Sequence, residues 1–168
     1  MKALGLLLLC VFPTGAEVQL QSIQWQHAAR GQAQGAKPAE ITRLLLAPGD
    51  TLQGRLRASV KMLNRGPAMA GILLRYVVSA KLAREGRPEE AAWALPFLSE
   101  EKRVPKIGAN QYFETTIDPT ALTELYLKKV NREGYWPLEL KIQVMLGPRR
   151  DAKGPLQIID SSLPVGPS

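Results

Sequence analysis

The chain has 168 residues, with 22 Lys and Arg against 15 Asp and Glu, a formal net charge of +7, one histidine and one cysteine. So little histidine and cysteine argues against a transition-metal centre, a zinc ribbon or a disulfide framework. The length suits a single domain with a sizeable core.

Residues 1–16, MKALGLLLLCVFPTGA, combine a positive Lys2, an apolar run from Ala3 to Phe12, the breaker Pro13 and the small residues Thr14-Gly15-Ala16. The run is short for a bilayer span, and the pattern predicts a secretory signal cleaved after Ala16. An N-terminal anchor or a buried helix is the alternative, and no second apolar segment follows. Leu9 is not the small residue that a lipoprotein signal places before its cysteine, here Cys10. Cleavage leaves 21 basic and 15 acidic residues and no cysteine, in a periplasmic or extracellular chain. The domain is then expected over 17–163, with a frayed tail at 164–168.

From Val18 to His27 apolar residues alternate with glutamines, and the phase slips by one at Ser22-Ile23, which predicts a bulge or two short strands. Ala28 to Pro38 reads as a loop. Ile41 to Leu46 is a short apolar strand, stopped by Pro48-Gly49-Asp50. Leu52, Leu56, Ala58, Val60 and Met62 share one face and Gln53, Arg55, Arg57, Ser59 and Lys61 the other, the period-two mark of a half-buried strand. Gly54 falls on the apolar face and suggests a bulge or a close backbone approach. Asn64-Arg65-Gly66-Pro67 turns the chain. A second alternating strand, Ile72 to Leu82, completes an expected hairpin and is apolar enough on both faces to be central. Glu89 to Leu95 fits two helical turns, and Phe97 to Gly108 a long charged loop. Tyr112 to Ile117 is a strand. Asp118-Pro119 then starts a helix with Leu122, Leu125, Tyr126 and Val130 as its apolar stripe, ending near Gly134. Leu138 to Leu146 is another half-buried strand, and Leu156 to Asp160 the last. Short strands joined by Gly/Pro turns, with one inserted helix, argue for an antiparallel sandwich.

Leu46-Ala47-Pro48-Gly49-Asp50, the alternating strand, and Leu63-Asn64-Arg65-Gly66 together resemble the opening of bacterial Ig-like adhesion modules of the CARDB and fibronectin-III-like type, over about 40 residues. Pro-Gly reverses the chain into the strand, and Asn-x-Gly tolerates the positive φ of the next reversal. The resemblance implies a binding or spacer role and brings no catalytic residue. The expected fold class is an all-β, antiparallel Ig-like β-sandwich of seven or eight strands with one short inserted helix.

Catalytic vocabulary is sparse. His27 would have to serve any Ser-His-Asp triad, and no serine stands in a Gly-flanked elbow; a surface or edge-strand histidine is the plainer reading. Glu89-Glu90 and Glu100-Glu101 are interleaved with Arg or Lys and lack an Asp-x-Asp calcium pattern. No Gly-rich phosphate loop occurs. No metal or other cofactor is expected.

Two surfaces remain as candidates. On the expected hairpin, Arg55, Arg57, Lys61, Arg75 and Lys81 fall on one face and make a positive field for an anionic polymer, an acidic protein or lipid headgroups; the plainer alternative is solubility and protection of the sheet. Without exposed aromatics along that stripe, nucleic acid ranks low as a partner. Trp93, Phe97, Tyr135 and Trp136 are possible aromatic anchors, or plugs for the ends of the core. The leading expectation is a non-enzymatic module that binds an envelope protein or helps assemble an envelope structure. An anionic surface polymer on the basic hairpin is the alternative, and a small hydrolase using carboxylates brought together in space ranks last.

Overall fold

The structure is a computed structural model describing residues 18–31, 37–84, 86–147 and 156–166. The expected signal over 1–16 lies outside the described residues. Among the described residues the protein is mostly β, with one short helix and with antiparallel and mixed sheets. Ten strands are described: β1 Val18–Ala28, β2 Ala39–Glu40, β3 Leu44–Leu45, β4 Arg55–Asn64, β5 Ile72–Arg84, β6 Arg87–Trp93, β7 Leu98–Val104, β8 Tyr112–Ile117, β9 Tyr135–Leu146 and β10 Gln157–Gly166; helix α1 covers Thr120–Arg132.

β2, β1, β4 and β8 form a four-stranded sheet in that order; β3, β10, β9, β5 and β6 run across a six-stranded one, with β7 also on β5. The alternations seen in the sequence supply the facing sides. Leu56, Ala58, Val60 and Met62 of β4 and Leu74, Val78, Ala80, Leu140, Ile142 and Val144 of β5 and β9 are fully buried in one continuous core. The indole N–H of Trp25 in β1 donates to the Ser161 carbonyl of β10 at 3.3 Å, which ties the sheets across it. The phase slip at Ser22 is a register shift between Leu20 and Ser22 in the β1–β4 ladder.

The hairpin expected over 52–82 is not formed. β4 pairs β1 on one edge and β8 on the other, while β5 pairs β9 and, along its other edge, β7 and then β6. Both edges of each strand are occupied, so neither has backbone donors left for the other. The turn at Asn64 carries the chain from one sheet to the next. Its buried amide donates to the carbonyls of Pro67 at 2.7 Å and Gly108 at 3.0 Å, and its oxygen accepts from Gly66 N–H at 3.0 Å.

Four further expectations are corrected. Residues 89–95 are not helical: β6 pairs β5 through Leu82↔Ala92 and Lys81↔Trp93, because so short a helix is marginal alone and the edge of β5 needs partners. The loop expected after Phe97 contains β7, in register with β5 from Val78↔Leu98 to Ile72↔Val104. The last strand continues past Leu163 to Gly166, and residues 167–168 of the expected tail lie outside the described residues; Val165 is buried and pairs Leu44 of β3. That pairing is parallel, so the six-stranded sheet is mixed.

α1 lies between β8 and β9 in the chain and covers the end of the core opposite Asn64. At its start, the Thr120 hydroxyl accepts from Leu56 N–H of β4 at 3.0 Å. Its buried side is Thr123, Leu127 and Val130. The stripe expected over Leu122, Leu125, Tyr126 and Val130 is therefore rotated, and Leu122 and Leu125 are exposed. Leu127 is the helix residue that joins the core cluster.

Candidate partner-binding surface

The five cations of the expected basic face do not share one. Arg55, Arg57 and Lys61 alternate with buried β4 residues and point outward from the four-stranded sheet; Arg75 and Lys81 do the same on β5, from the six-stranded sheet. Inner faces share the core, so these two sets look away from each other. Acids from neighbouring segments also meet four of them. Arg57 Nε lies 3.8 Å from Asp118 Oδ2, and Arg75 Nε 2.6 Å from Glu101 Oε1. Lys61 stands opposite Glu114, and Lys81 opposite Glu139. Cross-strand pairs of opposite charge at this exposure leave little net field.

The four aromatic candidates also separate. Trp136 is buried in the core. Tyr135 lies under Arg84, whose guanidinium carbon is 6.0 Å from the ring centroid. Phe97 is partly buried and stacks on Tyr126 of α1, with centroids 4.2 Å apart and planes 13° from parallel. Trp93 is 41% exposed on the outer side of β6, with Lys141 Nζ 4.3 Å from its ring centroid.

The Phe97–Tyr126 stack joins two segments that carry exposed leucines. It pins the 94–97 segment against the helix, while Phe97 N–H donates to the Val78 carbonyl at 3.0 Å. Leu95, two residues earlier, is 86% exposed. On α1, Leu122 precedes Tyr126 by one turn and Leu125 lies beside it, 41% and 63% exposed. Of the eight large apolar side chains exposed among the described residues, Trp93, Leu95, Leu122 and Leu125 gather at this end. Helical spacing continues the leucine stripe into Lys129 and Arg132, which make no ion pair among the described residues; Lys128, by contrast, pairs with Glu124 at 2.7 Å. Burial, with the nearby Glu133 carboxylate adding to it, holds the Tyr126 hydroxyl above its ordinary value. The result is an apolar ledge flanked by two cations, Lys129 and Arg132.

Sequence reasoning named Trp93 and Phe97 but placed Leu122 and Leu125 in the core and passed over Leu95. One signal was available. Leu122, Leu125, Tyr126, Leu127 and Val130 span more of a helix than one buried stripe can cover, so some must face outward.

His27 Nε2 lies 2.6 Å from the Gln53 carbonyl, with no acid or serine hydroxyl paired to the ring among the described residues. Among those residues no group of three His, Cys, Asp or Glu side chains converges as a metal site would need, and no helix is long and apolar enough to cross a membrane.

No protein-family profile matches the chain, and no curated protein matches it. Among solved structures, the chain is similar to a crystal structure of a protein from Archaeoglobus fulgidus, at 11% identity, covering 87% of this chain and 97% of that one, with a TM-score of 0.32. A likeness of that size carries no argument about fold or function.

Proposed function

We propose that the chain is an exported, non-enzymatic module of Ig-like β-sandwich type that binds a protein partner or helps assemble an envelope structure through the helix-end ledge. The observation that carries this reading is the exposed, backbone-anchored set Leu95, Leu122 and Leu125, with Trp93 nearby. Clustered exposed apolar side chains mark contact surfaces. Lys129 and Arg132 beside them favour a partner whose apolar anchor is rimmed by acids. The dispersal of the five β-strand cations weighs against the anionic-polymer alternative.

The test is capture by tagged protein from an envelope extract, washed at low and then high salt. Salt screens exposed charge pairs and spares apolar contacts. The expected result is one protein retained at high salt by the wild type and lost by a Leu122→Ser/Leu125→Ser variant. Equal retention by both, loss of everything at high salt, or a hydrolytic activity that tracks the purified chain would each overturn the reading.

A further inference from the structure

A second site shares no lining residue with the ledge. Residues 39–46 cross from one sheet to the other. β2 pairs β1 through His27↔Ala39, Ile41 N–H donates to the Trp25 carbonyl at 3.0 Å, and β3 then runs beside β10, where Leu46 N–H donates to the Gly166 carbonyl at 3.0 Å. Between this crossing and residues 50–53 lies an open cleft of about 470 Å³. Its size is that of small-molecule sites.

The cleft has an apolar floor and a polar rim. Leu44, Leu46 and Leu52 are buried beneath it. Arg43 lines it without an ion pair among the described residues. His27 lines it with its ring fixed, because Nε2 must carry the proton it donates to the Gln53 carbonyl. The other wall depends on Gly54, whose φ is +83° and where a Cβ would come within 2.2 Å of the Ala28 carbonyl oxygen. This close approach, foreshadowed by the glycine in an apolar phase of β4, holds the 53–54 backbone against the end of β1. Asp50 sits on the rim and accepts from Ala47 N–H at 3.0 Å, so the rim carries one acid beside its cation.

We propose that this cleft binds a small amphipathic monocarboxylate, its apolar tail on the leucine floor and its carboxylate on the Arg43 guanidinium. A planar guanidinium matches a carboxylate in two parallel hydrogen bonds. Asp50 repels a second negative charge, which favours a monoanion over phosphate or a dicarboxylate. Thr51 and the free Nδ1 of His27 offer further polar contacts.

The probe is octanoate, titrated into the full chain below its self-association range and followed by amide and imidazole NMR shifts. Octan-1-ol tests the tail alone and inorganic phosphate the charge alone. The expected result is saturable shifts at Leu44–Leu46, Thr51–Gln53 and the His27 ring. Arg43→Gln, at an exposed position, should weaken octanoate about tenfold. Octan-1-ol and phosphate should bind more weakly than octanoate. The proposal is overturned by absence of saturable shifts, by shifts centred on Leu122 and Leu125, by octan-1-ol or phosphate binding as well as octanoate, or by an Arg43→Gln variant that binds like the wild type. The ledge reading survives any of these, since its own test uses no small ligand.

Discussion

At the end of the core where β4 leaves its sheet, a single buried side chain satisfies the backbone of two loops: Asn64 reaches Pro67, Gly108 and Gly66. At the opposite end a whole helix lies over the core, and the fit is looser. Thr123 is fully buried, and its hydroxyl has no partner among the described residues, while Leu122 and Leu125 of the same helix stay in solvent. Closure by hydrogen bonds here combines that side chain with the Met69–Ile107 backbone bridge, and its groups are used up in holding the loops. Closure by an amphipathic helix spreads over several residues and leaves a face free for something else. The ledge at the helix end follows from that difference.

The contrast is sharpest at Asn64. Asn64→Ala removes the partner of the part-buried Pro67 and Gly108 carbonyls and of the Gly66 N–H together, and should cost about 3 kcal/mol in urea unfolding. A loss under about 1 kcal/mol would mean that water replaces the side chain, and the contrast would fail.

Alkali should discriminate the two ends next. Tyr126 on the helix is held protonated above its ordinary value of 10.0, mainly by burial and then by Glu133. Tyr76, whose hydroxyl donates to Glu100 at 2.6 Å, is raised further, again mainly by burial and then by that carboxylate. The unfolded chain releases these protons first as pH climbs past 10.0. Their stabilisation is therefore complete below that pH and is lost as pH rises through the folded-state values. Tyr126→Phe keeps the stack on Phe97 and should make the alkaline loss of stability shallower; an unchanged slope between pH 9 and 12 would count against the helix end as the sensitive one. Asn64, Pro67 and Gly108 hold no titratable side chain, so Asn64→Ala should leave the slope alone.

Smaller effects test the looseness of the helix closure. Thr123→Val replaces the unpartnered hydroxyl with a methyl of similar shape and should stabilise the fold by about 1 kcal/mol. Destabilisation would show that the hydroxyl has a partner in solution. Leu122→Ser/Leu125→Ser should change stability by no more than about 0.5 kcal/mol, as substitutions at exposed positions do. A larger loss would place those leucines in the core and remove the ledge.

Several elements were legible from the residues alone. Alternation marked β1, β4, β5, β8 and β9, and even the slip at Ser22, because a half-buried strand writes its own period. Asp118-Pro119 and Gly134 bracketed α1 to within about two residues, the ordinary uncertainty of helix ends. β6 was missed because Glu89, Glu90 and two alanines favour a helix locally, and the demand of β5 for an edge partner is not local. The candidate sites were less legible still. Asp118, Glu114, Glu101 and Glu139, which meet the cations of β4 and β5, come from strands and loops far along the chain, so counting charge within one segment exaggerated its field.

The amino-acid order thus settled that β1, β4, β5, β8 and β9 extend, where the turns beside them fall, and which of their side chains are buried, since these depend on neighbours two to four residues apart. The three-dimensional arrangement alone settled that β4 and β5 belong to different sheets. It also settled that β3 joins β10 in parallel, which side of α1 faces the core, and that His27 and Arg43 share a cleft. Those outcomes rest on competition between distant segments for the same edges and the same buried space, which no local pattern encodes.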